Sequence, residues 1–260
     1  MDALKPVDEN YIQRDAWGRL RQFTNARIAV GRTGTAIPLA ENLLFRADHA
    51  RARDAVYTAL DEDGLAGALQ ILLPALPVLR LKSRAETRQE YLQRPDWGRQ
   101  LCDASKQTVG EAACKSLHDV AIIVADGLSA QAVQLHAPPV LAGLLPLLDG
   151  AGFSVAPLCI ARQARVAISD QVGALLNTKL SIILIGERPG LSSPHSMGIY
   201  ITYNPAVGNT DESRNCISNI HPLGGLTYQD AAIQAFNLIR AAFALQITGV
   251  HLKSQSLLGG

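Results

Sequence analysis

Two patterns of hydrophobic and polar positions divide the chain. Beyond about residue 100, apolar runs of strand length alternate with stretches of helical spacing. The runs predict strands over 118–125, 154–161, 180–186 and 197–203. Helices are predicted over 102–116, 129–136, 140–151 and 169–176. Strand and helix in alternation argue for βαβ units and a mostly parallel sheet. A further helix starts at Thr227-Tyr-Gln-Asp230, where the Thr hydroxyl and a carboxylate three residues on can satisfy free backbone N–H groups. Ile233, Phe236, Leu238, Ile239, Ala242, Phe243 and Leu245 then form its apolar face, and Gly249 is expected to end the segment.

The first hundred residues are more polar and richer in Arg. A short amphipathic helix is predicted over 10–23 and one or two more over 37–60, with Leu43, Leu44, Phe45, Ala52 and Val56 near helical spacing. The charges of Arg46 to Asp54 read as a solvated helix surface more readily than as a partner surface. Tyr91-Leu-Gln-Arg-Pro-Asp-Trp-Gly-Arg marks a helix end, a Pro-led turn and a new helix start. The predicted organisation is therefore a mainly helical N-terminal domain, 1–100, followed by an α/β, Rossmann-like domain, 101–260, with helices flanking its sheet.

Composition narrows the function. With 260 residues, 48% of them hydrophobic, the chain can bury a sizeable core. Its 24 Lys and Arg against 23 Asp and Glu leave a charge of +1, so no net field recruits nucleic acid or an anionic membrane. No apolar run approaches the ~18 residues that suggest a membrane span. The N-terminal stretch lacks the basic and apolar regions of a signal peptide, which makes the cytoplasm the expected location. Cys102, Cys114, Cys159 and Cys216 form no C-x-x-C pair, and no histidine sits in an H-E-x-x-H helix, so neither disulfides nor a metal site are expected.

The candidate chemistry lies at strand ends. The run Lys179-Leu-Ser-Ile-Ile-Leu-Ile ends in Gly186-Glu-Arg-Pro-Gly, which puts Glu187 at the tip of a buried strand. The 118–125 strand likewise ends in Asp126-Gly127. Carboxyl ends of parallel strands are where open α/β sheets bind ligands. No G-x-G-x-x-G, phosphate loop or G-x-S-x-G elbow is present, and Gly31-Arg-Thr-Gly34 reads as a turn. Ser129 reads as a helix cap rather than a nucleophile. Asn219-Ile-His221-Pro-Leu-Gly224 resembles the D-x-H-x-x-G element with which some cobalamin proteins supply histidine to cobalt. Here Asn replaces the orienting Asp, and His221 is read as a loop residue. Cys216, as a residue type, reads as a small buried hydrophobe. These residues alone leave open a self-contained Rossmann-like enzyme acting on a nucleotide or small amine, with Asp126 and Glu187 as its acidic groups.

Gly31-Arg-Thr-Gly, Ala47-Asp-His-Ala-Arg-Ala-Arg-Asp, Tyr91-Leu-Gln-Arg-Pro-Asp, Asp126-Gly-Leu-Ser, Arg165-Val-Ala-Ile-Ser-Asp-Gln, Gly186-Glu-Arg-Pro-Gly-Leu and Cys216-Ile-Ser-Asn-Ile-His occur in that order. In this order they resemble the small (light) subunit of ethanolamine ammonia-lyase, from about Ala16 almost to the C-terminus. The resemblance implies an adenosylcobalamin-dependent lyase that converts ethanolamine to acetaldehyde and ammonia. It further implies a separate large subunit, a (β/α)8 barrel, that carries the substrate pocket and the radical chemistry, in a hexamer of large and small pairs. This chain would supply part of the cobalamin site through Val166, Glu187 and Cys216, with Asp126 and Ser129 as further candidates, and would be inactive alone. A purely structural subunit that never touches the cofactor is the competing reading. Some small subunits carry a longer N-terminal extension that helps package the enzyme into a bacterial microcompartment. Only about 15 residues precede the resemblance here, which makes free cytoplasmic enzyme at least as good an expectation.

Overall fold

The computed structural model describes residues 11–113 and 117–252, so the expected helix positions Asn10 and 114–116, with Cys114, lie outside the described residues. Strand β2 (His118–Ala125) forms because its side chains from Val120 onward are all buried, so both faces of the strand must be apolar. It pairs in parallel with β3 (Leu158–Arg162) and β4 (Thr178–Gly186), and β1 (Val78–Lys82) joins β3, also in parallel. β5 (Met197–Tyr203) and β6 (Asn215–Ile220) extend the β4 side in antiparallel pairing, giving the order β1-β3-β2-β4-β5-β6.

Alternation along the strands sends side chains to two cores. Val120, Ile122, Val124, Ile182 and Leu184 pack against α2 (Glu62–Leu72), α5 (Ala130–Gly150) and α7 (Tyr228–Leu245). Ala121, Ile123, Ala125, Ile183 and Ile185 share the opposite core with Val109 of α4 (Asp103–Ala112) and Ile168 and Val172 of α6 (Ile168–Leu175). The result is a mixed α/β fold, a mostly parallel sheet with helices on both faces.

Several boundaries differ from the sequence expectation for physical reasons. β1 and β6 are edge strands that the hydrophobic pattern does not reveal, because an edge strand such as β6, Asn-Cys-Ile-Ser-Asn-Ile, keeps polar exposed positions. β3 starts at Leu158 rather than 154, since Pro157 has no N–H to give a ladder and Ser154 is drawn to Asp119 instead. The two helices expected over 129–136 and 140–151 are one continuous helix, α5, despite Pro138, Pro139 and Pro146. A proline inside a helix costs about 3 kcal/mol or more. Burial of Val133, Val140, Leu141, Leu144 and Leu148, at roughly 1.5–3 kcal/mol each, offsets that cost. At α7, Thr227 Oγ1 accepts from the Asp230 N–H and donates to its carboxylate, and the helix ends at Gln246 in a left-handed conformation, before Gly249.

Contact density divides the chain into two units, one reaching to Asp54 with Gly190–Pro194, the other running from Ala55 to Pro189 with His195 onward. The sheet lies wholly in the second unit and takes in β1, from before residue 100. In the first unit the helix expected over 10–23 is a 3-10 helix over Ala16–Phe23, started by the Asp15 carboxylate accepting from the Trp17 N–H. The 37–60 prediction corresponds to one helix, α1 (Leu39–Tyr57), and α3 (Arg88–Gln93) precedes the Pro95 turn. Among the described residues, no helix is long and apolar enough to cross a membrane.

Candidate functional site

β2 and β4 are neighbours with Ala125 opposite Ile185, so the two acidic turns that follow them lie side by side. The Leu128 N–H donates to the Gly186 carbonyl at 2.9 Å and locks the turns together. Gly127 has φ +55°, and a Cβ there would strike the Gly186 oxygen, while a Cβ at Gly186 would strike the Ser129 oxygen. Both positions need glycine for this close approach.

The two carboxylates then part company. Asp126 is buried and accepts from the Gln163 N–H (2.9 Å) and the Ala164 N–H (3.1 Å), with Arg88 Nη1 at 3.6 Å. Burial raises its pKa, opposed by those two N–H groups and the Arg88 guanidinium. It lines a recess of about 170 Å³ beside Arg88 and Gln163. Its two backbone contacts tie it to the loop that follows β3. Arg88 belongs to the same frame: Nε donates to the Val56 carbonyl (2.7 Å), and Nη1 to the Gly127 carbonyl (2.9 Å) and Gln163 Oε1 (3.3 Å). Tyr91 is fully buried, donates to the Ala164 carbonyl at 3.2 Å, and has the guanidinium groups of Arg88 and Arg165 over its ring at 4.7 and 4.4 Å.

Glu187 is half-buried and faces a different recess of about 190 Å³, whose wall also includes Val166, Arg165, Arg188 and Tyr200. Its carboxylate accepts from the Asn219 N–H at 3.2 and 3.3 Å, which steers it from the end of β6. Val166 sits in the loop that Asp126 and Tyr91 hold in place. Cys216 is on β6 directly opposite Tyr200 and is exposed, not the buried hydrophobe its residue type suggested. It adjoins the recess through Tyr200, whose hydroxyl pKa is raised by burial and then by Cys216. Two of the three expected contacts thus share one wall, and the third is one cross-strand pair away.

Ser129 occupies the N-cap position of α5, but its hydroxyl makes no capping bond and lies 3.5 Å from His195 Nδ1. His136 extends this polar chain, with Nε2 2.9 Å from the His195 carbonyl and Nδ1 2.9 Å from the Tyr228 hydroxyl. Burial lowers the pKa of both histidines. His221 is buried after β6, with Nε2 2.9 Å from Asn219 Oδ1 in its own turn. Arg165, Arg188 and Tyr200 were not singled out from sequence. The first two are neighbours of Val166 and Glu187 in the chain, whereas nothing local marks Tyr200.

The residues fit a ligand that offers both donors and acceptors. Glu187 presents acceptor oxygens, Val166 an apolar surface, and the buried Arg165 Nε has no hydrogen-bond partner among the described residues. Among the same residues, no group of three or more His, Cys, Asp or Glu is placed to hold a metal ion. Fold and site together define a mixed α/β protein with a small, mixed-polarity recess at the carboxyl ends of its parallel strands. Comparison with known proteins gives the class a family. The profile described as ethanolamine ammonia-lyase light chain (EutC) matches residues 14–253. The chain is 46% identical over 257 residues to the ethanolamine ammonia-lyase small subunit of Pseudomonas syringae pv. tomato, covering 98% of this chain and 88% of that one. It is 49% identical over 245 residues to that of Xanthomonas campestris pv. campestris, covering 94% and 89%. With the small subunit of Azotobacter vinelandii the identity is 46% over 259 residues, covering 98% and 93%. The chain belongs to the ethanolamine ammonia-lyase light-chain family.

Proposed function

We propose that this chain is the small subunit of an adenosylcobalamin-dependent ethanolamine ammonia-lyase, a carbon–nitrogen lyase that releases acetaldehyde and ammonia. Its Rossmann-like sheet domain contributes Val166, Glu187 and Cys216 to one side of the cofactor site. The large subunit, a (β/α)8 barrel, holds the substrate and carries the radical chemistry that the cofactor supplies when bound. The observation that best supports this reading is the recess containing Val166 and Glu187. At about 190 Å³ it falls below the ~300–1,000 Å³ of pockets that enclose a whole drug-sized ligand, so it suits one edge of a larger molecule held elsewhere. Glu187 accepts from an amide or a ribose hydroxyl at that edge. Large and small subunits pair in a hexamer, in the cytoplasm or within a bacterial microcompartment.

Reconstitution tests the division of labour. The purified chain with adenosylcobalamin and ethanolamine is expected to yield no acetaldehyde, and turnover is expected once the large subunit is added. Sustained turnover by the chain alone would contradict the proposal.

A further inference from the structure

Glu187 rests on the segment that starts β5. Its N–H donates to the Ser196 carbonyl at 2.9 Å, and Gly186 pairs with Met197 across the antiparallel ladder. A Cβ added at Gly198 would lie 3.0 Å from Glu187 Oε1, so the Glu187 side chain lies against that glycine. His136 holds this segment in turn. It is 4% exposed on α5, a helix whose other buried residues are all apolar. Both its nitrogens are used, Nε2 2.9 Å from the His195 carbonyl and Nδ1 2.9 Å from the hydroxyl of Tyr228 on α7. A carbonyl oxygen only accepts, so Nε2 carries the ring proton. In the neutral ring Nδ1 is then an acceptor, and the Tyr228 hydroxyl donates to it. Burial favours that neutral form. One imidazole thus joins α5, α7 and the start of β5 in a single direction of donation, from Tyr228 to His136 to the His195 carbonyl. An apolar residue could fill the same place on α5 without that directional tie.

We infer that His136, oriented by Tyr228, is a positioning residue for Glu187: by holding the His195 carbonyl it fixes where residues 195–198 lie, and so where the carboxylate meets its ligand. The inference deepens the proposed function and rests on it for the identity of the ligand. The backbone link from His136 to Glu187 stands whatever binds there. His195 is where the chain returns to the sheet unit after Gly190–Pro194, so it is the first residue at which that unit can grip β5. A second grip falls on the same residue, with Ser129 Oγ, at the start of α5, 3.5 Å from His195 Nδ1. The Asn219 N–H meanwhile aligns the carboxylate. Glu187 is set at both ends, its backbone from α5 and its oxygens from β6.

Small subunits carrying His136→Leu, His136→Gln or Tyr228→Phe test this in two ways, by adenosylcobalamin titration after assembly with the large subunit and by amide exchange of the full chain alone. His136→Leu should raise the cobalamin dissociation constant about fivefold, the worth of one hydrogen bond, and speed exchange at the Glu187 amide about tenfold relative to the amides of β2. His136→Gln, whose carboxamide keeps one donor and one acceptor, should stay within about twofold of wild type in both. Added to Glu187→Ala, His136→Leu should change the dissociation constant by less than about twofold, because its effect passes through the carboxylate. A His136→Leu complex that binds cobalamin like wild type, a His136→Gln complex as weak as the Leu variant, or an undiminished loss in the Glu187→Ala background would each overturn the inference. If His136→Leu does not fold, Tyr228→Phe decides, since it removes only the hydroxyl: weaker binding with faster Glu187 exchange supports the tie, and wild-type values for both overturn it. A wild-type complex with no affinity for adenosylcobalamin would overturn the proposed function, and exchange at the Glu187 amide would then judge the positioning by itself.

Discussion

Asp126 and Glu187 follow adjacent parallel strands in equivalent turns, each beside a glycine, yet they end in opposite conditions. Asp126 is buried, and both its oxygens accept from backbone N–H groups of the loop after β3. Glu187 is half-buried in a recess, with one N–H from Asn219 aligning it. A carboxylate at a strand end is therefore not a ligand site by position alone. What decides its role is whether neighbouring backbone uses up its acceptor capacity before a ligand arrives. The Asp126 carboxylate is taken up by the backbone of its own frame, while Glu187 keeps acceptor capacity for the ligand proposed above.

The largest expected effect is at Asp126. Asp126→Ala removes a buried carboxylate, leaves two buried N–H groups unpaired and strands Arg88, which should cost about 3–5 kcal/mol of stability in urea denaturation. A loss below ~1 kcal/mol would mean that Asp126 is no more structural than a surface carboxylate. Tyr91→Ala comes next. Emptying a fully buried ring site costs about 3–5 kcal/mol in general. Tyr91→Phe, which removes only the bond to Ala164, should cost about 1 kcal/mol by the same measurement. Equal losses from the two variants would show that the ring's packing beneath Arg88 and Arg165 contributes little.

On the binding side, Glu187→Ala should change stability by less than ~0.5–1 kcal/mol, since the side chain is only half-buried. The smallest effect lies behind the Asp126 turn, in the chain from Ser129 to His195 and His136. Both histidines have folded pKa values below the unfolded value of 6.5 because burial disfavours their charged forms. Below pH 6.5 the unfolded chain binds more protons than the folded one, so their contribution is present above that pH and lost as pH falls toward the folded values. The thermal midpoint should drop between pH 7 and 5, and His136→Gln should flatten that drop. An unchanged slope in the variant would remove His136 from the account.

Much of this arrangement can be read from residue order, and the unread part has a common cause. Buried strands β2, β4 and β5 show as apolar runs, and the run that ends in Gly-Glu-Arg-Pro puts Glu187 at a strand end. Edge strands β1 and β6 leave no clear apolar run because only part of their surface needs to be apolar. Pro138 and Pro139 suggested a break that tertiary burial overrides in α5. The fate of Asp126 depends on Gln163 and Ala164, and that of Glu187 on Asn219, more than thirty residues away in each case. The Ser129 hydroxyl turns to His195, sixty-six residues on, rather than capping its own helix. Local pattern carries element type, while the use of a polar group is settled by long-range pairing.

The central claim is that Glu187 contacts a cofactor shared with the large subunit. Titration of adenosylcobalamin into reconstituted complexes carrying wild-type or Glu187→Ala small subunit tests it directly. Loss of a hydrogen bond to a charged group is worth about 1.5–3 kcal/mol, so the dissociation constant should rise by roughly tenfold to a hundredfold, with assembly and thermal midpoint unchanged. Superimposable titrations would contradict the account.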